Sequence, residues 1–513
     1  MDKLRMPNGS ALFWLVVGVV VGVLAAVVVV PSRQNVVRTG GGGNAASLAG
    51  GAPGGSGTDI ASSGGAGGGP SVSTSGGSGG RSGGSAGGGA GAVTGGGGGS
   101  STGPGAGPGT GGAAPAGQAR GVSATTIKLG IAYPDLSALK ALGPAYDNGD
   151  VPAQWKAIVK GWHDQHLLPV NGRDIELAFA TYNVLDVNAQ NAACRSLVED
   201  AKVFAVVGVE YFQTGSDCVA RQFRTPLITN DGPSDAAMAG GAPFLFSLMP
   251  PTGAVLRNWI AWADARHALG GQKIGVYYSN ADATSVTDAE ENVIGALKRL
   301  NHPVAAVATT QHTLGGPEDA IAVQKFRSAG VTLALLLTSK GGFLQQADAQ
   351  AYKPKYLESD YLFGTSDTAT SNYQADQWNG TYAMTVSTEG AVAGGRPFGP
   401  GTQACVDNYN RQTGAKVAEP GPGGHEAAEW GYMITGCDEA QVLLTALQKA
   451  GPALTTGGFV TGVHTISGLA LRRVGSVSFT SRNWGADSQR TLLWHADCTC
   501  YRAVGDFAPL FTS

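Results

Sequence analysis

Few side chains in this 513-residue chain have the spacing that chemistry requires. His425-Glu426 followed by Glu429 reads as part of a metal-binding helix, but H-E-x-x-E lacks the second histidine of a ligand pair. Acids there also suit an ordinary helix start, where they face the positive end of the dipole. Matches to G-x-G-x-x-G fall between Gly40 and Gly117, with no strand before them and no helix after, so they are noise of composition. Outside that stretch no G-x-S-x-G elbow occurs, and the chain holds no P-loop or C-x-x-C pair. The pattern therefore argues against an enzyme and calls for no cofactor and no metal. What remains is a set of short loops carrying hydroxyl, amide and aromatic groups and few charges, chemistry that orients a small polar ligand without transforming it. Ser137, Tyr211, Phe212, Gln213, Asn230, Asp231, Tyr278 and Asp367 are the candidate ligand-binding residues. Four of them have a plainer alternative: Ser137 and Asp367 suit helix caps, and Asn230-Asp231 suits a turn before Gly232-Pro233.

These loops have to be held by strands and helices. From Arg120 onward, strand-like apolar runs alternate with helical stretches, the signature of parallel sheets built from βαβ units. Thr126–Tyr133, Asp174–Tyr182, Val203–Gly208 and Thr225–Asn230 read as strands. Helices are expected around Pro152–Gln165, after an N-cap at Asp186, and over Thr252–Leu269. The alternation continues through KIGVYYSN, VAAVATT and VTLALLLTS, with helices over Pro317–Ala329, Gly342–Tyr352 and His425–Lys449. SVSFTSRN and TLLWHADCTCYRAV read as a closing pair of strands. In such a fold the ligand crevice lies at the carboxyl ends of the strands, and every candidate but Asp367 lies near the end of, or shortly after, a run assigned here as strand.

Composition separates the chain into parts. Of its 81 glycines, 36 fall between Gly40 and Gly117, a stretch whose only charges are Asp59 and Arg81. Without a G-X-Y period it is not collagen, and without apolar side chains it cannot offset the entropy of ordering, so residues 32–120 read as a disordered tether. As a random coil it reaches on the order of 50 Å. Ala11 to Val30 holds twenty residues without a charge, enough to span about 30 Å of hydrocarbon. Residues 11–31 are therefore expected to be a transmembrane anchor behind a short cytoplasmic tail (1–10). A cleaved signal peptide is the alternative, for which Pro31 and the preceding valines make a poor cleavage site. Lipid attachment is excluded, because no cysteine precedes Cys194.

The first 38 residues sum to +3, the tether cancels, and the remainder carries −6 of the overall −3. That remainder has no basic cluster to displace phosphate counterions, so nucleic acid is dropped as a partner. Its six cysteines suit disulfides in an exported domain, with Cys194–Cys218 and Cys405–Cys437 preferred and Cys498–Cys500 the pair left over. Buried free thiols are the alternative. The globular part is thus expected outside the cell membrane.

TIKLGIAYPDLSALKALG, NGRDIELAFATYN, AACRSLVEDAKVFAVVG, TPLITND and AAEWGYMITGCDEAQVLLTALQKAG resemble, in order and spacing, the type I periplasmic binding proteins, and among them the branched-chain amino-acid-binding group that serves ABC importers. The resemblance covers Gly121 to Ser513. It implies an α/β fold of two Rossmann-like lobes joined by three crossings, with lobe one over 121–245 and 382–457 and lobe two over 246–381 and 458–513. It further implies a small organic ligand held between the lobes and an ABC permease as partner. The same module also suits a membrane-tethered sensor without a permease, or an envelope interaction protein that has lost its ligand. In the loop GVEYFQTGS, Tyr211 and Phe212 stand where amino-acid binders place small hydroxyl residues, and aromatic rings there suit stacking on a ligand. The family's lobe-two acid would be Asp367, and its ligand-contacting tyrosine Tyr278.

Overall fold

The computed structural model describes residues 119–137, 147–184, 186–209, 212–312, 316–338, 340–370, 373–420 and 428–511. The expected anchor at 11–31 and almost all of the tether lie outside them. Among the described residues, no helix is long and apolar enough to cross a membrane.

Two sheets organise the chain. The first has strand order β2-β1-β3-β4-β5, from β1 (Thr126–Pro134), β2 (Asp174–Tyr182), β3 (Ala205–Gly208), β4 (Leu227–Thr229) and β5 (Leu245–Ser247), all parallel. The second runs β14-β13-β10-β9-β8-β6-β7, from β6 (Ile274–Ser279), β7 (Val304–Thr310), β8 (Leu333–Leu337), β9 (Lys355–Ser359), β10 (Tyr382–Thr385), β13 (Ser488–His495) and β14 (Cys500–Pro509). Its first five strands repeat the order 2-1-3-4-5, and β13 and β14 add an antiparallel hairpin at the edge. A two-stranded piece, β11 (Leu469–Ala470) with β12 (Ser476–Val477), stands apart.

Local chemistry explains the helices. Asp150 caps α1 (Val151–Asp164) by accepting from the Ala153 amide at 2.9 Å, with Pro152 in the first turn; Trp155, Ile158 and Trp162 form its buried face. Asp186 caps α2 (Val187–Arg195) as its sequence position implies, through the Asn188 amide at 2.8 Å. Next come α3 (Gln213–Asp217), α4 (Asp235–Gly241), capped by Ser234, and α5 (Thr252–Ala265), which lays Leu256, Trp259 and Trp262 against the second sheet's core. In the second sheet's layers are α6 (Ala283–Thr287), α7 (Glu318–Ser328), α8 (Lys340–Ala349) and α9 (Asp367–Thr370). The helices α10 (Thr402–Thr413), α11 (Ala428–Ala450) and α12 (Thr456–His464) return to the first sheet, where Phe459 meets Phe204 edge-on at 5.5 Å.

Three crossings connect the lobes. Leu248–Pro251 leads from β5 to α5, Val386–Thr388 follows β10, and Val474–Asp487 precedes β13. They are hydrogen-bonded together: the Ser247 amide donates to Asn483 O at 3.0 Å, the Ala486 amide to Leu248 O at 2.9 Å, and the Thr388 amide to Arg473 O at 2.6 Å.

Two expected boundaries move. Tyr382–Thr385, assigned above to lobe one, pairs with β9 and β13 in the second sheet. Residues from 458 to about 473, assigned to lobe two, belong with the first sheet, because α12 packs on α11. The closing strands also differ. Only Ser476–Val477 of SVSFTSRN is a strand, while TLLWHADCTCYRAV folds into the β13–β14 hairpin by itself. The cysteines form three disulfides, Cys194–Cys218, Cys405–Cys437 and Cys498–Cys500, with Cα separations of 6.2, 6.5 and 5.1 Å.

Candidate functional site

A 2-1-3-4-5 sheet has its switch point between its first and third strands, and ligands sit in the crevice opened there. The first sheet's switch point lies beyond β1 and β3, the second's beyond β6 and β8. The candidate residues can be placed against these four loops.

In lobe one, the Asp135 carboxylate accepts the Ser137 amide at 2.9 Å, a tight turn that leaves Ser137 exposed beyond the end of β1. Nearby, burial pushes the Tyr133 phenol up, reinforced by the Asp150 and Asp135 carboxylates. Beyond β3 and β4 the loops are stitched to each other. Thr229 Oγ1 donates to Gly208 O at 2.8 Å and accepts the Asp231 amide at 3.0 Å, while Asp231 Oδ2 accepts the Phe212 amide at 3.1 Å. The Asn230 amide donates to Glu439 Oε1 at 3.0 Å. Asn230 and Asp231 are half-buried at the rim, and Gln213 is exposed at the start of α3. Tyr211 lies outside the described residues.

Phe212 does not face a ligand. Its side chain is completely buried, stacked at 4.8 Å on Tyr182, and its ring fills the space a side chain at Gly215 would occupy. The expected stacking role is corrected for a packing reason: glycine at 215 opens a hole in lobe one's core, and an aromatic three residues earlier closes it.

In lobe two, Tyr278 turns into its own helix layer. Its phenol donates to Glu290 Oε1 at 2.5 Å, and burial, then that hydrogen bond and the carboxylate's charge, push its pKa up to about 12. Asp367 is buried as well, with Oδ1 accepting the Tyr501 amide at 2.9 Å and its own amide donating to Glu389 Oε1 at 3.3 Å. In this structure both act as supports: Tyr278 fixes the β6 end, and Asp367 joins α9 to β14 and to the second crossing. At the switch point itself, Lys340 Nζ lies 3.0 Å from Glu358 Oε2, with the two side chains 2% and 4% exposed. Burial pushes the Glu358 carboxyl up, while Lys340 and the Ser359 amide pull it back.

The crossings carry a polar network that none of the sequence candidates touches except Asp367. Asp438, fully buried on α11, accepts the backbone amides of Arg472 and Arg473 at 2.9 and 2.7 Å and Arg472 Nη1 at 3.1 Å. Arg473 Nη2 reaches Glu389 Oε2 at 3.0 Å, and Arg490 Nη2 donates to Glu389 O at 2.7 Å. Asp360 Oδ2 accepts the Val386 amide at 2.7 Å, and burial pushes this carboxyl up against the pull of Thr365, Thr385 and Arg473. A signal was present in the sequence: Asp438 sits four residues after Ile434 and four before Val442, on the helix's apolar face, where an acid needs a partner.

The lobes also touch beside the first crossing. Arg257 Nη1 on α5 bonds Asp235 Oδ2 on α4 at 2.8 Å, and the Thr252 amide donates to Pro233 O at 2.9 Å. A Cβ at Gly253 would overlap the Asp235 carboxylate and lie 2.6 Å from Asn292 Nδ2, so a side chain there would displace the polar ends that meet beside this crossing. Among the described residues, no group of three His, Cys, Asp or Glu is placed to hold a metal ion.

Residues 126–486 match the family model described as periplasmic binding protein. No curated protein matches the chain significantly. Among solved structures, a solute-binding protein of an ABC transporter from Rhodopseudomonas palustris, in complex with 3,4-dihydroxybenzoic acid, is similar at TM-score 0.54 and 14% identity, covering 75% of this chain and 98% of that one. An ABC transporter substrate-binding protein from Desulfitobacterium hafniense, in complex with Leu, gives 0.53 and 14%, covering 74% and 100%. A fatty acid ABC transporter substrate-binding protein from Thermomonospora curvata gives 0.54 and 16%, covering 77% and 95%. At these identities the likeness is one of fold.

Proposed function

Because the chain belongs to the periplasmic binding protein family, of type I, we propose that it is an extracytoplasmic solute-binding protein that closes its two lobes on a small organic ligand and presents it to an ABC permease. The observation that carries this reading is the pair of 2-1-3-4-5 sheets joined by three mutually hydrogen-bonded crossings. That arrangement sets one switch-point crevice in each lobe, and a ligand that touches both favours the closed form by its differential affinity. Residues 11–31 serve as the membrane anchor and 32–120 as the tether that carries the binder away from the membrane surface.

In this reading Ser137, Tyr211, Gln213, Asn230 and Asp231 form the lobe-one side of the site, and Phe212, Tyr278 and Asp367 hold its frame. Exposed hydroxyl and amide groups beside the half-buried Asp231 suit a ligand with hydrogen-bond donors. Relatives of this fold take leucine, a dihydroxybenzoate and fatty acids by the names they carry, so the panel that tests the reading contains α-amino acids, aromatic acids, fatty acids, sugars and small amides. A true ligand at 100 times its Kd adds about 2.7 kcal/mol, which raises the Tm by about 3 °C for a domain of this size. No stabilisation by any class in the panel would overturn the reading.

A further inference from the structure

A concavity lies away from the strand ends at which the proposed crevice opens. It is a furrow of about 320 Å³ where α1, α10 and α11 converge on the flank of lobe one, at the lower end of the range for small-molecule sites. Ile158, Trp162, Leu444 and the Cys405–Cys437 disulfide make its apolar wall, and Arg472 closes one end. The guanidinium is largely committed: Nε donates to Gly401 O at 3.1 Å, and Nη1 to Asp438 Oδ1, Gln441 Oε1 and Cys437 O at 3.1, 2.7 and 3.4 Å. Among the described residues Nη2 has no acceptor within hydrogen-bond distance, although the side chain is only 16% exposed. An immobilised, mostly desolvated cation with one uncommitted nitrogen at the end of an apolar furrow fits an amphipathic anion.

We propose that this furrow is a second ligand site, separate from the crevice, and that it takes a small carboxylate with an aliphatic or aromatic body. The body lies on Trp162, Ile158 and Leu444, and the carboxylate accepts from Arg472 Nη2. Asp438 already neutralises most of the arginine's charge, which favours a monoanion that needs one directed hydrogen bond over a phosphate that needs several. The site adjoins the moving part of the protein, because Arg472 O accepts from Thr388 Oγ1 at 2.9 Å in the second crossing.

Calorimetric titration of the full chain with octanoate, and with octan-1-ol as its uncharged counterpart, tests this. Octanoate is expected to bind saturably and at least tenfold more tightly than octan-1-ol. Ala404→Trp places an indole in the furrow from an exposed lining position, and Arg472→Gln removes the donor; each is expected to weaken octanoate by at least tenfold. Since Arg472 also holds Asp438, Ala404→Trp decides the matter if the arginine variant fails to fold. Absence of saturable binding, equal affinity for octan-1-ol, or octanoate binding within twofold of wild type in Ala404→Trp, which would put the ligand elsewhere, each overturns the proposal.

Discussion

Replacing Lys340 by methionine keeps the volume of the side chain at the second switch point and removes its charge. Glu358, 4% exposed and 3.0 Å from the lost ammonium, is then a buried carboxylate without its ion-pair partner. Breaking a buried pair in this way costs about 3–5 kcal/mol if the remaining charge persists. Glu358 escapes part of that cost by taking a proton, and the cost of doing so depends on pH. With an unfolded pKa near 4.3, holding the carboxyl protonated costs about 1 kcal/mol at pH 5 and about 3.7 kcal/mol at pH 7. Burial already holds the Glu358 carboxyl above its unfolded value with Lys340 in place, and losing the ammonium's pull raises it further, so the variant's extra pH dependence is stability present below the unfolded pKa and lost as pH rises towards the folded value. The destabilisation of Lys340→Met relative to wild type is therefore expected to grow by as much as about 2.7 kcal/mol between pH 5 and pH 7. Urea denaturation followed by tryptophan fluorescence at the two pH values measures it, and Lys340→Met combined with Glu358→Leu is expected to abolish the difference. A penalty that is the same at both pH values within about 0.5 kcal/mol would show instead that water solvates Glu358 and that the carboxylate needs no partner.

Other outcomes follow from packing and covalent links. Phe212→Ala is expected to cost about 3–5 kcal/mol in chemical denaturation, the price of a large core truncation, and to leave the Kd of a ligand found by screening within about twofold. Removing Cys405–Cys437, whose residues lie 32 apart, is expected to cost about 3.7 kcal/mol on the chain-entropy account, whereas removing Cys498–Cys500, two apart, costs about 1–2 kcal/mol. Paired alanine variants compared by denaturation check the ratio.

The repeating βα pattern was legible because buried parallel strands such as Ala205–Gly208 and Leu333–Leu337 are continuous apolar runs, and because side chains such as Asp186 mark helix starts locally. Asn171-Gly172 likewise gives a turn, since both residues adopt positive φ, 51° and 79°. What escaped was set by contacts distant in sequence. Phe212 looked like a ligand-facing aromatic because it follows a strand, and only the space over Gly215, with Tyr182 beneath, makes it a core residue. Tyr382–Thr385 is a short strand whose sheet is decided by partners at Leu357–Ser359 and Arg490–Leu493. The network at the crossings joins Asp360, Glu389, Asp438, Arg473 and Arg490, groups that no local window brings together.

Closure of the two lobes on a small ligand is read most directly as a distance between them. All six cysteines are paired, so cysteines introduced at the exposed positions Val187 on α2 and Ile321 on α7 accept spin labels selectively, one on each lobe. Double electron–electron resonance on the Val187→Cys/Ile321→Cys chain, with and without the ligand found by screening, reads the distance between the lobes. Saturating ligand is expected to convert a broad distribution into a narrower one centred at a different distance, as for a hinge driven to one state. A ligand that binds saturably and leaves the distribution unchanged would contradict closure.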